Sequence, residues 1–300
     1  MTHAAHEPMT DAGQPVARKR VPDSRRRRVV RRLLRDRVTL VCGTVLLLIL
    51  LMGIFAPFIA PYDPYEARMP MRLKPVGTEG HLLGTDELGR DMLSRLIHGT
   101  RLSLAMGFLP VALATILGGT FGLIAGYAGG RWGMLIMRTM DVFYAFPSVL
   151  LAVAISGALG AGLLNAIVAM TLVFIPPVAR VTETVTAQVR AQDYIEAARA
   201  TGAGAYRIVT GHLLGNVLAP VLIYASSLIS VSIVIASGLS FLGLGVRPPQ
   251  AEWGLMLNTL RPAFYAAPMI AILPGLMIFL TSMCFNFLSD GLRNATEVKI

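Results

Sequence analysis

Residues 40–60 read LVCGTVLLLILLMGIFAPFIA, twenty-one residues without a charge, closed by Pro61 and Asp63. A helix needs about 20 apolar residues to cross a hydrocarbon core about 30 Å thick, so this run is long enough to span a bilayer. A secretory signal has an apolar core of about 7–15 residues behind a short leader. Here the run follows a leader of 39 residues, so it reads as a retained span.

Working outward, the same pattern recurs. The 29 residues between Arg101 and Arg131 carry no charge and give a second span. The 38 residues from 142 to 179 are also uncharged, too many for one helix, and Gly157-Ala158-Leu159-Gly160-Ala161-Gly162 marks a break. They divide into a third span near residues 135–156 and a fourth near 163–179. Between Arg207 and Arg247 the only Asp, Glu, Lys, Arg or His is His212, which leaves room for a fifth span at about 217–239. The uncharged residues 262–289 supply the sixth. The composition agrees: of 300 residues 54% are hydrophobic and only 15% charged, against about one quarter charged in a soluble domain. The mean hydropathy is +0.62. The expectation is an all-α membrane protein with six transmembrane helices.

Charge sets the expected orientation. The net charge is +10, and residues 1–37 hold eleven Lys and Arg, including Arg25-Arg26-Arg27-Arg28. Cytoplasmic loops carry the excess of basic residues. With the leader inside, nineteen basic residues fall on the cytoplasmic side and seven outside, with Arg101 at a boundary. The topology is therefore N-in and C-in. The chain divides into a basic leader over 1–37, largely disordered, a first helix over 38–61 and an extracytoplasmic loop over 62–98. A five-helix core over 99–300 follows, with a cytoplasmic loop at about 181–216. The leader could also be a nucleic-acid arm, but it lacks interleaved aromatics and a folded reader domain. Contact with anionic lipid is the preferred reading, with no nucleic-acid partner.

Several chemistries are missing. No GxxxxGK[ST] phosphate loop, HExxH or GxSxG occurs, so no enzymatic activity, cofactor or metal is expected of the chain itself. Cys42 and Cys284, the only cysteines, both lie in apolar runs and suit neither a disulfide framework nor a CxxC metal site. Ionisable groups inside a span mark proton or ion paths. The candidates are Arg138 and Asp141, three apart at a span end, where they can pair with each other. A secondary carrier or channel thus has no evident relay. Gly118, Gly122, Gly126 and Gly130 repeat every four residues, a spacing that lets another helix approach closely. Whether that helix belongs to this chain or another is open.

Residues 193–204 read DYIEAARATGAG. Asp193 and Glu196 resemble a capping box, the alanines keep a helix slim, and Gly202 can end it in the left-handed conformation. A second short helix is expected over about 205–212. Such a helix–turn–helix between two spans can enter a groove on a partner, or simply cap the bundle.

These residues resemble the EAA loop of bacterial ABC importer permeases, in Glu196-Ala197-Ala198, then Gly202, then Ile208 and His212-Leu213-Leu214. The likeness extends to residues 81–96, HLLGTDELGRDMLSRL, to Gly126-Tyr127-Ala128-Gly129-Gly130, to Asp141 with Ala145-Phe146-Pro147, and to residues 239–245, LSFLGLG. Pro248-Pro249 with Glu252-Trp253-Gly254, and Asn286 with Asp290-Gly291-Leu292-Arg293, continue it. It covers about residues 35–300 and is closest to the DppC/OppC type, the second permease of dipeptide and oligopeptide importers. The resemblance implies the type I importer fold in a bacterial inner membrane. It also implies a second homologous permease of the DppB/OppB kind, two ATPase subunits of the DppD/DppF kind that bind the ATP, and an extracytoplasmic peptide-binding protein. Glu196, Ala197, Ala198 and Gly202 would be the ATPase-coupling contacts, with charge from Arg180 and Arg190 nearby. The loops at 62–98 and 241–261 would meet the binding protein, shape the entrance, or serve as linkers. Related permeases carry dipeptides, oligopeptides, glutathione or nickel chelates, and peptide is the first choice. The residues lining the substrate pathway are not evident. Where the family carries proline this chain has Gly215, which would loosen the exit from the loop.

Overall fold

The computed structural model describes residues 32–296; most of the basic leader, on which the arm and lipid readings rest, lies outside the described residues. Every named element is helical. In chain order they are α1 (Arg37–Ile54), α2 (Ala56–Ile59), α3 (Met92–Ala128), α4 (Gly130–Tyr144), α5 (Ser148–Leu159), α6 (Leu163–Arg190), α7 (Asp193–Ala200), α8 (Ala205–Ile208), α9 (Leu214–Phe241), α10 (Trp253–Leu260) and α11 (Pro268–Thr296). Among the described residues five helices are long and apolar enough to cross a membrane: α1, α3, α6, the continuous stretch Ala205–Phe241, and α11. A sixth crossing exists if α4 and α5 count as one bent span.

That bend corrects the reading of the third span as one helix over 135–156. α4 and α5 meet at 84°. Pro147 has no N–H to donate and sits extended at ψ 125°, so it can only precede a new helix. The break before the fourth span falls at Gly160 and Gly162, both at positive φ. α6 then runs on to Arg190, eleven residues past the expected end of the fourth span, because nothing between Ala179 and Arg190 interrupts the helix. α3 likewise starts at Met92, inside the loop read as 62–98, where Asp91 caps it by accepting from Ser94 N.

The bundle is organised on α3 and α6. Gly118, Gly122 and Gly126 form the seam. An added Cβ would stand 2.5 Å from Ile175 O at Gly118, 2.7 Å from Glu183 O at Gly126, and closer still to Ala179 O at Gly122. The glycine face therefore serves packing within this chain. Gly130 stands apart from it: it starts α4 at φ +52° with open space around it. The main apolar core joins α3, α6 and α9 around Met106, Met170, Phe174, Val178 and Leu239. α1 lies at the edge and packs on α11, where Thr39 touches Gly291 and Cys42, Leu46 and Cys284 form a small cluster.

Candidate coupling surface

α7 is eight residues long and mostly exposed, so it must be held by few contacts. Ile195 is fully buried and packs with Ile208 and Leu213, flanked by Tyr127, Val189, Ala203 and Val209. Ile195 is the one large aliphatic side chain in α7, and its burial fixes which face points away. Glu196, Ala197 and Gly202 are exposed, while Ala198 is half-buried.

The two ends of α7 are built differently. Asp193 and Glu196 do not form the reciprocal box that their spacing suggested. Gln192 holds the cap position without a side-chain bond, and both acids lie in the first turn, where negative charge suits the helix dipole. The C-terminus is a Schellman motif: Ala203 N donates to Ala198 O at 3.0 Å and Gly202 N to Arg199 O at 2.9 Å, with Gly202 at φ +83°. Gly202 is thus required by backbone geometry.

α3 and α9 meet this helix through side chains, and α6 reaches it through Val189 and is itself tied to α3 alongside. The Arg199 guanidinium lies 5.8 Å over the Tyr127 ring at the end of α3. Arg190, at the end of α6, donates to Tyr127 O at 2.7 Å and Gly126 O at 3.2 Å, capping α3's final carbonyls. Asn216 donates to the Tyr194 hydroxyl at 3.2 Å and to His212 O at 2.8 Å. The short helix expected over 205–212 is not separate: α8 passes through a π-helical turn, Val209–Leu213, directly into α9. Gly215 lies inside that helix with open space around it.

Arg190 therefore belongs to this junction, but Arg180 does not: it pairs with Asp141, to which Arg138 Nη1 also comes within 3.9 Å. Sequence reading gave no structural role to Tyr194 or Ile195, and quoted Tyr127 and His212 only within the resemblance. Ile195 carried a usable signal, a large aliphatic residue in an otherwise small and polar helix; the others are joined only by folding. No group of three or more His, Cys, Asp or Glu is placed to hold a metal among the described residues. The site offers a rigid shape tied to three long helices and no nucleophile or acid–base pair.

A family profile describing the binding-protein-dependent transport system inner membrane component matches residues 118–299, more than half of the chain. The chain belongs to that family. The N-terminal transmembrane domain of oligopeptide transport permease C matches residues 24–75. The di/tripeptide transport system permease protein DppC of Pseudomonas aeruginosa is 45% identical over 260 residues, covering 85% of this chain and 86% of its own. The glutathione transport system permease protein GsiD of Pectobacterium atrosepticum is 42% identical over 270 residues, covering 90% of each. Among solved structures, the inward-facing MetNI methionine ABC transporter aligns with a TM-score of 0.57 at 20% identity, covering 69% of this chain and 98% of its own, a likeness of fold. This chain is a permease subunit of an ABC importer, a multi-pass protein of the bacterial inner membrane with a non-enzymatic role.

At the opposite end of the bundle, the permease's loop before α3 is no plain linker. His81 Nδ1 lies 2.9 Å from Asp91, and Asp86 pairs with Arg90 at 2.6 Å. Arg90 also reaches Glu87 at 2.8 Å. Arg95 Nε lies 3.1 Å from Asp86, without its N–H aimed at the oxygen, and Arg95 Nη1 donates to Pro64 O at 2.9 Å. Such a buried charge network holds only while every member is present. Trp253, fully buried, donates from Nε1 to Leu96 O at 3.1 Å, tying α10 to α3. Glu252 caps α10 by accepting from Gly254 N and Leu255 N, both at 2.8 Å. Burial pushes its carboxyl above the ordinary carboxylate range, against the pull of those hydrogen bonds.

Proposed function

We propose that this permease forms, with a second homologous permease, the membrane pathway of a dipeptide or oligopeptide importer, and that α7 is where an ATPase subunit couples to it. The observation that carries the reading is the mounting of α7. It is exposed, slim and rigidly capped, and bound to α3, α6 and the α8–α9 stretch at once. A push on Glu196, Ala197 or the Gly202 turn would therefore move three membrane helices together. The charge asymmetry supports placing this surface, the leader and the C-terminus on the cytoplasmic side, with six crossings and the bent α4–α5 pair as the third. Two ATPase subunits would supply the energy, and an extracytoplasmic binding protein would deliver the solute to the face carrying the His81–Asp91 lobe.

Peptide is the substrate class that the 45% identical DppC relative favours. Glutathione is a second reading, favoured by the 42% identity to GsiD. Both solutes are short peptides, so the same pathway chemistry would serve either. The test is affinity purification in mild detergent. The wild type should bring down one homologous permease and two ATPase chains. Glu196→Lys and Gly202→Asp should keep the permease and lose the ATPases. A chain that purifies alone and moves solute in liposomes without ATP would sink the proposal.

A further inference from the structure

We infer that the cavity at the α4–α5 break is part of the solute path and that its aromatic walls act on what passes; this deepens the importer reading above and rests on it. Within a bilayer, backbone that leaves the helix is tolerated only against protein or water. At this break α5 begins behind Pro147 with no side-chain cap on its first turn, so its leading N–H groups have no intrahelical partner. A cavity of about 320 Å³ opens there, lined by Phe143, Tyr144, Phe146 and Ser148 around the break, by Pro177 of α6 and by Tyr224 of α9. That volume is within the range of small-ligand sites. The aromatic faces of Phe143, Tyr144, Phe146 and Tyr224, with the hydroxyls of Tyr144, Tyr224 and Ser148, suit a solute that is part apolar side chain and part amide, as a short peptide is.

A second observation points the same way. The Asp141–Arg180 pair is not buried: the side chains are 36% and 52% exposed. Arg180 follows Pro177 by three residues on α6, and Asp141 precedes Tyr144 by three on α4, so the pair adjoins the cavity on both helices. A half-exposed ion pair is costly in lipid. The broken backbone and the exposed charges thus lie close together, and a water-filled path beside them would satisfy both.

The test uses the assembled transporter in proteoliposomes and a charged, membrane-impermeant thiol reagent. The native Cys42 and Cys284 are buried, so the wild type sets the baseline. Ser148→Cys should react about tenfold faster than Leu47→Cys on the exposed face of α1, in the nucleotide-free or the vanadate-trapped state, because the reactive thiolate forms only where water reaches it. Tyr224→Cys gives the same reading should Ser148→Cys fail to assemble. Equal or slower reaction in both states would overturn the inference, the face then being lipid or a dry interface. Phe146→Ala should change the transport ratio of an aromatic to a small-side-chain dipeptide by about threefold, within what one pocket contact supplies. An unchanged ratio would remove the walls from selection. Fast labelling of Ser148→Cys with no peptide transported or protective in the wild type would leave the wet path standing and overturn the peptide reading instead.

Discussion

At Gly122 any side chain would be driven into the carbonyl oxygen of Ala179 and against Thr182. Gly122→Ala should destabilise the permease by about 1–3 kcal/mol, the usual cost of overpacking a tight contact. Gly119→Ala, three residues earlier with open space around it, should be neutral or slightly stabilising. Melting temperatures of the purified complexes compare the two; equal losses would mean that the seam yields. Glu252 gives a pH-dependent case. Its folded carboxyl is raised by burial, so its contribution is fully present below the unfolded value of about 4.3 and is lost as pH rises through the folded value. The stability of wild type relative to Glu252→Gln should accordingly fall as pH rises from about 4 toward neutrality. A difference that grows with pH would show the α10 cap to dominate over burial. The glycine spacing was legible as a packing face because it repeats at the helix period. The sequence left open that three of the four glycines meet α6 and that Gly130 starts a new helix.

At the scale of one element, α7 rests on a single deep anchor. Ile195→Ala removes its packing against Ile208 and Leu213, a loss of about 2–5 kcal/mol if the site does not collapse. Because α7 is short and otherwise exposed, the loss should appear locally: amide exchange should accelerate over residues 193–204 while α3 and α6 stay protected. Glu196→Ala, on the exposed face, should leave that exchange unchanged. If Ile195→Ala slackened the whole bundle, α7 would be part of the core and not a mounted lever. The Gly202 stop was readable from local chemistry, since a left-handed residue after a run of alanines ends a helix. The capping box was misread because Asp193 and Glu196 have the right spacing, but the chain enters the helix one residue earlier, at Gln192.

For the whole molecule, the decisive property is sidedness. Glu79→Cys, in the lobe before α3, should be labelled by an impermeant maleimide added outside intact cells. Thr201→Cys, at the α7 turn, should be labelled only after the membrane is opened. The reverse pattern would invert the topology and detach α7 from any cytoplasmic ATPase. Long uncharged runs marked out the membrane helices because hydrocarbon tolerates little else. The lobe was harder to read: its charged residues look like solvated loop, yet His81, Asp86, Arg90, Asp91 and Arg95 are buried together.

The sequence by itself determined that this protein is helical and crosses a membrane, and that α7 must end at Gly202. These follow from hydropathy, helix period and backbone conformation, all local properties. Only the tertiary structure decided which proline breaks a span. Pro110, Pro176, Pro177, Pro220 and Pro274 all sit inside helices, whereas the chain turns by 84° ahead of α5 at Pro147. The local penalty is the same at each. What differs is the packing of the neighbouring helices on each, and that is settled by contacts between residues far apart in the chain.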